Sequence, residues 1–144
     1  MSSPRYDWWP YVKGMIRRYP ELCTRQEELR RTKMSPNLTG MPGAHGQASD
    51  PVADAALREL PEINRRELEA VRRAIEETRT LPNGEERLEM VRLVFWGKAK
   101  KYTLAGATLK IHLSERTLTE WHGEFIRCVA KYFGLLPFLE YTYK

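Results

Sequence analysis

Cysteine, histidine and long apolar runs are all scarce in this chain. Its two cysteines, Cys23 and Cys128, stand far apart in the sequence, with no paired-Cys metal motif, and a disulfide or a nucleophile is the lesser reading of them. Each reads as a small apolar residue of a protein kept in a reducing cytosol. The three histidines, His45, His112 and His122, are also scattered. His45 has no ligand-type neighbour at metal spacing, and no metal site or cofactor is expected. No apolar run approaches the roughly 20 residues that cross a bilayer. The opening M-S-S-P-R-Y-D-W-W-P has no apolar signal core, so membrane insertion and export are not expected. Catalytic signatures are missing too: there is no Gly-x-Ser-x-Gly and no His-Glu-x-x-His, and no Lys-Ser/Thr follows the Gly-rich stretch. Hydrolase, zinc-protease and phosphate-loop chemistry are thereby set aside, and the chain is not expected to be an enzyme. Strand alternation is weak throughout, which leaves an all-α fold of about five helices.

What is present is unevenly placed charge. The net charge is +5, but residues 1–40 carry eight basic and four acidic side chains, 41–90 seven and eleven, and 91–144 nine and four. Positive charge therefore collects at the two ends, and a basic excess on one module is the electrostatic footprint of phosphate contact. The carboxy-terminal excess coincides with the most informative stretch of the chain.

That stretch runs from Thr103 to Leu136, T-L-A-G-A-T-L-K-I-H-L-S-E-R-T-L-T-E-W-H-G-E-F-I-R-C-V-A-K-Y-F-G-L-L. It predicts a short helix, a tight turn and a longer helix that Ser114 opens as N-cap. Leu118, Trp121, Phe125, Ile126, Val129, Tyr132 and Phe133 recur at three- and four-residue steps, so one stripe faces a core. Ala107, Ile111 and Leu113 supply the apolar contacts of the preceding helix and turn. This is the pattern of a helix-turn-helix, which offers the exposed face of its second helix to the DNA major groove.

Upstream, the pattern predicts a helix from Tyr6 to about Arg31, with Pro20 as a point of kink or restart. Trp8, Tyr11, Val12, Met15, Ile16 and Tyr19 form its apolar stripe, with Lys13, Arg17 and Arg18 on the other side. Residues 34–52 are rich in Pro, Gly and small polar residues and read as a linker or hinge. The expected organisation is thus an N-terminal amphipathic helical region at 1–33, a linker at 34–52, and a helical domain at 53–144 with the helix-turn-helix at 103–136. Asp50 or Asp54 is expected to open a helix, and Pro61 to mark a break or a new first turn. Glu62 to Thr80 is strongly helical: Ile63, Leu68, Val71, Ala74, Ile75 and Thr78 share one side. Glu67, Glu69, Glu76 and Glu77, with their neighbouring arginines, read as a solvated, ion-paired face, Glu69 with Arg73 among the pairs. A turn at Leu81 to Gly84 leads to a helix from Glu85 to about Lys101, whose acidic start and basic end suit the helix dipole. Leu88, Val91, Val94 and Phe95 face inward, and Trp96 lies at a seam. The closing P-F-L-E-Y-T-Y-K reads as a packing arm or a partner contact.

On the second helix of the pair, with Leu118 and Trp121 buried, the outward positions are Glu115, Arg116, Thr119, Glu120 and Gly123. Arg116 is the best base reader, since a guanidinium bridges guanine O6 and N7. Thr119 suits a thymine methyl or a phosphate. Glu115 or Glu120 suits cytosine N4, although each repels phosphate. Gly123 permits close approach of backbone or a partner. Ser114 and Thr117 complete the segment, while Lys100, Lys101, Lys110, Arg127 and Lys131 are candidates for holding phosphates. His112 and His122 read as polar surface or DNA-backbone contacts.

Three stretches together resemble the RinA/ArpU-like group of phage-encoded late-gene transcriptional regulators, found in tailed phages and prophages of Gram-positive bacteria. They are W-W-P-Y-V-K-G-M-I-R-R-Y-P; S-P-N-L-T-G-M-P-G-A-H-G-Q-A-S-D-P-V-A-D-A-A-L with N-R-R-E-L-E-A-V-R-R-A-I after it; and the sigma-factor-region-4-like A-T-L-K-I-H-L-S-E-R-T-L-T-E-W-H-G-E-F-I, ending in G-L-L. The resemblance covers most of the chain. It implies a cytoplasmic, sequence-specific DNA-binding regulator of phage or prophage late genes, acting in a bacterial host cell with Ser114 to Gly123 as recognition segment. It departs from the family at Thr108, where relatives have a small residue, and at His112, where they often have Gly. Relatives also tend to be more basic where this chain has Glu115, Glu120 and Glu124. The expected partners are double-stranded DNA, RNA polymerase and a second copy of the chain, with no membrane. The alternatives are a DNA-packaging component resembling a small terminase subunit, and a helical interaction protein without DNA binding.

Overall fold

The computed structural model describes residues 7–33, 59–97 and 101–136. These form five helices and no strand: α1 Trp9–Lys33, α2 Glu62–Arg79, α3 Gly84–Phe95, α4 Leu104–Ile111 and α5 Glu115–Phe133. The all-α expectation holds. Tyr6, the 34–52 segment, the Asp50 and Asp54 helix starts, Lys98, Lys100 and the tail from residue 137 lie outside the described residues.

Helix α5 packs against each of the other four, most extensively against α2. The apolar stripe read for it is the reason: Leu118, Trp121, Phe125, Ile126 and Val129 are buried, with Tyr132 and Phe133 half-buried beside them. They meet Val12, Met15 and Ile16 of α1, Val71 and Ala74 of α2, and Met90, Val91 and Phe95 of α3. At about 1.5–3 kcal/mol per fully buried large apolar side chain, this cluster is the principal favourable contribution to folding.

Helix α1 runs on through Pro20 as one continuous helix, so the chain does not restart there. Proline has no amide hydrogen, so the Ile16 carbonyl four residues earlier loses its helical donor. The indole N–H of Trp96 replaces it at 2.6 Å, and a fully buried residue keeps its carbonyl satisfied. The same contact shortens α3. That helix stops at Phe95 rather than near Lys101 because Trp96 turns onto α1, stacking on Tyr19 at 5.6 Å. The chain then folds back, and the Tyr102 amide donates to the Leu93 carbonyl at 3.0 Å.

Helix α2 begins after Pro61, as expected, and its side built on Leu68, Val71, Ala74 and Thr78 is buried. Two of its residues correct the reading. Ile63 is 46% exposed, whereas Glu67, assigned to the solvated face, is 3% exposed. Its Oε2 accepts from the Tyr11 hydroxyl and from Arg18 at 3.1 Å. A buried carboxylate needs such partners; they tie α1 to α2, and Arg18 therefore leaves the open basic side where it was placed. The turn into α3 depends on Gly84, where an added Cβ would lie 2.7 Å from the Arg79 carbonyl oxygen.

Candidate nucleic-acid interface

The unit around α4 and α5 is built by local capping. The Thr103 hydroxyl accepts from the Gly106 amide at 3.0 Å and starts α4. His112 ends that helix in the left-handed region (φ 65), its amide donating to Thr108 at 2.8 Å. This is the backbone conformation for which glycine is favoured. Ser114 Oγ accepts from the Thr117 amide at 3.1 Å and donates to the Thr117 hydroxyl at 3.0 Å. Both hydroxyls are thus committed to the cap that starts α5. At the far end, Gly134 (φ 95) and Leu135 return their amides to Ala130 and Lys131 in a Schellman closure.

The candidate site residues divide into those left exposed and those taken up by the fold. Glu115, Arg116 and Glu120 are exposed at the start of α5, and Thr119 is half-buried beside them. The Arg116 side chain is 89% exposed and its Nε lies 3.7 Å from Glu120, an exposed pair of the kind worth at most about 1 kcal/mol. Lys101 and Lys110 are exposed around Tyr102, with the Lys110 ammonium 5.9 Å from the centre of its ring. They line one shallow depression with Leu109, which is 77% exposed and was not singled out in the sequence.

Other positions are taken up by the fold. Gly123 is half-buried; a Cβ there would sit 3.7 Å from the Trp9 ring of α1 and 3.4 Å from Arg127. The close approach read for this glycine is made from within the chain. The half-buried Arg127 guanidinium lies back over Gly123. Lys131 is also removed from the phosphate-holding set: its ammonium bonds Glu77 at 3.0 Å and sits 4.6 Å from the Tyr132 ring centre. Burial raises the Glu77 carboxyl, but hydrogen bonds from Tyr132 and Lys131 outweigh this and hold it below its ordinary value. Glu124 loses weight as a phosphate-repelling charge, because Arg87 pairs with it at 2.6 Å while lying 5.0 Å from the Trp121 ring centre.

His122 departs most from the surface role expected of it. It is half-buried and stacked on Phe95, with ring centres 5.3 Å apart and planes 2° from parallel. Burial first, and then the charges of Lys13 and Arg17, lower its pKa from 6.5 to about 4, so the ring is neutral near pH 7. The two cations belong to α1 and were not among the site residues read from the sequence. Their i,i+4 spacing with Trp9 was visible, but nothing local places that stripe beside α5.

Among the described residues, no three His, Cys, Asp or Glu side chains are grouped so as to hold a metal ion, and no helix is long and apolar enough to cross a membrane. No protein-family model, curated protein or solved structure matches the chain.

Proposed function

We propose that this protein is a sequence-specific DNA-binding transcriptional regulator of phage or prophage late genes, with the amino-terminal half of α5 docked in the major groove. The observation that carries the reading is the start of α5. The capped first two turns present Glu115, Arg116 and Glu120 outward, while Leu118 and Trp121 are buried. Arg116 is the base reader. Releasing it from Glu120 costs at most about 1 kcal/mol, less than the ~1–3 kcal/mol of discrimination from a bidentate contact to guanine. Freed Glu120 can then accept from cytosine N4. Lys101 and Lys110 hold phosphates, joined by Lys100, and the free amides of the first turn favour an anion at the mouth of α5. The site works in the cytoplasm of a bacterial host. One such unit reads few base pairs, so a homodimer is the working form, with RNA polymerase met by the long helices.

Fluorescence anisotropy with duplex DNA at two salt concentrations, combined with light scattering, tests the reading. A monomer or dimer with salt-sensitive binding that weakens in Arg116→Ala supports it. Unchanged binding in that variant removes α5 as the reading helix. A large ring identifies a packaging component, and no binding at low salt identifies an interaction protein.

A further inference from the structure

We infer that α1 supplies a second phosphate-binding edge to the same DNA surface, through Lys13 and Arg17. The inference rests on the DNA-binding reading and adds to it a part of the chain outside the helix pair.

Trp9, Lys13 and Arg17 follow one another at four-residue steps, so they share one stripe of α1. The stripe begins at α5, where the Trp9 ring lies against Gly123. It continues past His122, close enough for both cations to act on that ring. Lys13 is half-buried and Arg17 exposed. Among the described residues neither makes an ion pair or a hydrogen bond, whereas Arg18, Arg72, Arg73, Arg87, Arg116 and Lys131 are all paired with glutamates.

Charge balance gives these two cations their role. Glu115 and Glu120 stand beside Arg116 at the start of α5, and a duplex presents one negative charge per roughly 1.7 Å of axis. The side-chain charge at the start of the reading helix, two glutamates against one arginine, is therefore net repulsive toward the backbone and works against the free amides there. His122 adds nothing, being neutral near pH 7. Cations beside α5 must supply the attraction: Lys101 and Lys110 near α4, Lys13 and Arg17 on α1. Helices α1 and α4 each pack on α5 and barely on each other. The phosphate strands bordering the groove are accordingly met by different elements, and α1 braces the reading helix while holding one strand.

The test uses the full chain, a mixed-sequence 30-base-pair duplex, and anisotropy across a salt series. Lys13→Gln/Arg17→Gln removes two charges and keeps the polar stems. Arg25→Gln/Arg30→Gln removes two exposed charges from the distal half of α1 and is the control for net charge. The expected result is that the slope of log K against log salt falls by about 2 for the first pair only, with affinity at about 0.1 M salt down at least tenfold. Circular dichroism melts unchanged from wild type keep the comparison clean. Equal slopes for the two variants overturn the α1 edge and leave the DNA reading standing. Absence of wild-type binding at low salt overturns the DNA reading, and this inference with it.

Discussion

The indole N–H of Trp96 donates to the carbonyl of Ile16 at 2.6 Å, and Ile16 lies one helical turn before Pro20. This single bond explains two features. Helix α1 continues through a proline because the carbonyl that Pro20 deprives of a donor receives one from Trp96, just past the end of α3. Helix α3 stops at Phe95 because its next residue is committed to α1. Stacking of Trp96 on Tyr19 reinforces the latch.

Trp96→Phe keeps an aromatic ring against Tyr19 and removes the donor, leaving a buried carbonyl unsatisfied. The expected loss is about 1–3 kcal/mol. Pro20→Ala returns an amide to Ile16, so Trp96→Phe should cost much less in that background. Urea unfolding of the four proteins of the cycle measures this, and equal costs in both backgrounds would show that the bond does not compensate the proline.

Breaking the Arg18–Glu67 contact should cost more than breaking Arg116–Glu120. Glu67 is 3% exposed and its Oε1 makes no hydrogen bond among the described residues, so Arg18→Ala leaves a buried charge supported mainly by Tyr11. A loss of about 2–3 kcal/mol is expected, largely relieved when Glu67→Gln is added. Arg116→Ala should change stability by about 0.5 kcal/mol or less. Comparable losses from the two arginine variants would contradict the burial of Glu67.

His122 makes the fold acid-labile. Its pKa is lowered from 6.5 to about 4 in the folded protein. Below 6.5 the unfolded chain takes up a proton that the folded chain refuses until about 4. The stabilisation is therefore complete above 6.5 and lost as pH falls through that window. At pH 5 the loss should be on the order of 1–2 kcal/mol. His122→Phe keeps the stack on Phe95 and should remove this component. Chemical denaturation at pH 7 and pH 5 decides, and an unaltered pH dependence in the variant would assign the effect to other groups.

Two glycines should respond oppositely to alanine. At Gly123 a Cβ meets only ordinary contacts, so Gly123→Ala should stabilise by about 0.5–1 kcal/mol through helix propensity. At Gly84 a Cβ would press on the Thr78 and Arg79 carbonyls at 2.8 and 2.7 Å. Gly84→Ala should cost at least about 1 kcal/mol, as overpacking does. Thermal melts measure both, and a destabilising Gly123→Ala would mean that α1 sits tighter on α5 than described.

Arg116→Lys separates base reading from phosphate holding. Lysine keeps the charge and lacks the planar fork. The expected variant retains its salt slope but loses preference for its site over mixed-sequence DNA, by about tenfold for a lost ~1.4 kcal/mol. Retained preference would show that Arg116 holds phosphate instead.

Much of this was legible because it is local. A helix is written in contacts between residues three and four apart, so the stripes of α2 and α5, the Ser114 cap and the turn at Gly84 could be read directly. His112 could be placed in its turn for the same reason. Glu67, Lys131 and His122 could not be placed. A glutamate among arginines on a helix reads as solvated unless a distant helix covers it, and α1, which covers Glu67, is separated from α2 by residues 34–61. The same separation hid Lys13 and Arg17 from the candidate surface.

The sequence by itself determined that the chain is helical, where most helices begin, and which stripe of α5 turns inward, since periodicity and capping act within a few residues. Only the tertiary structure decided which charges are spent on other charges. It paired Arg18, Arg87 and Lys131 with Glu67, Glu124 and Glu77, carried α1 through Pro20 by way of Trp96, and left Lys13 and Arg17 beside His122. Those outcomes depend on how helices distant in sequence pack, because a charge is cancelled or left open by whatever the fold brings within a few ångströms of it.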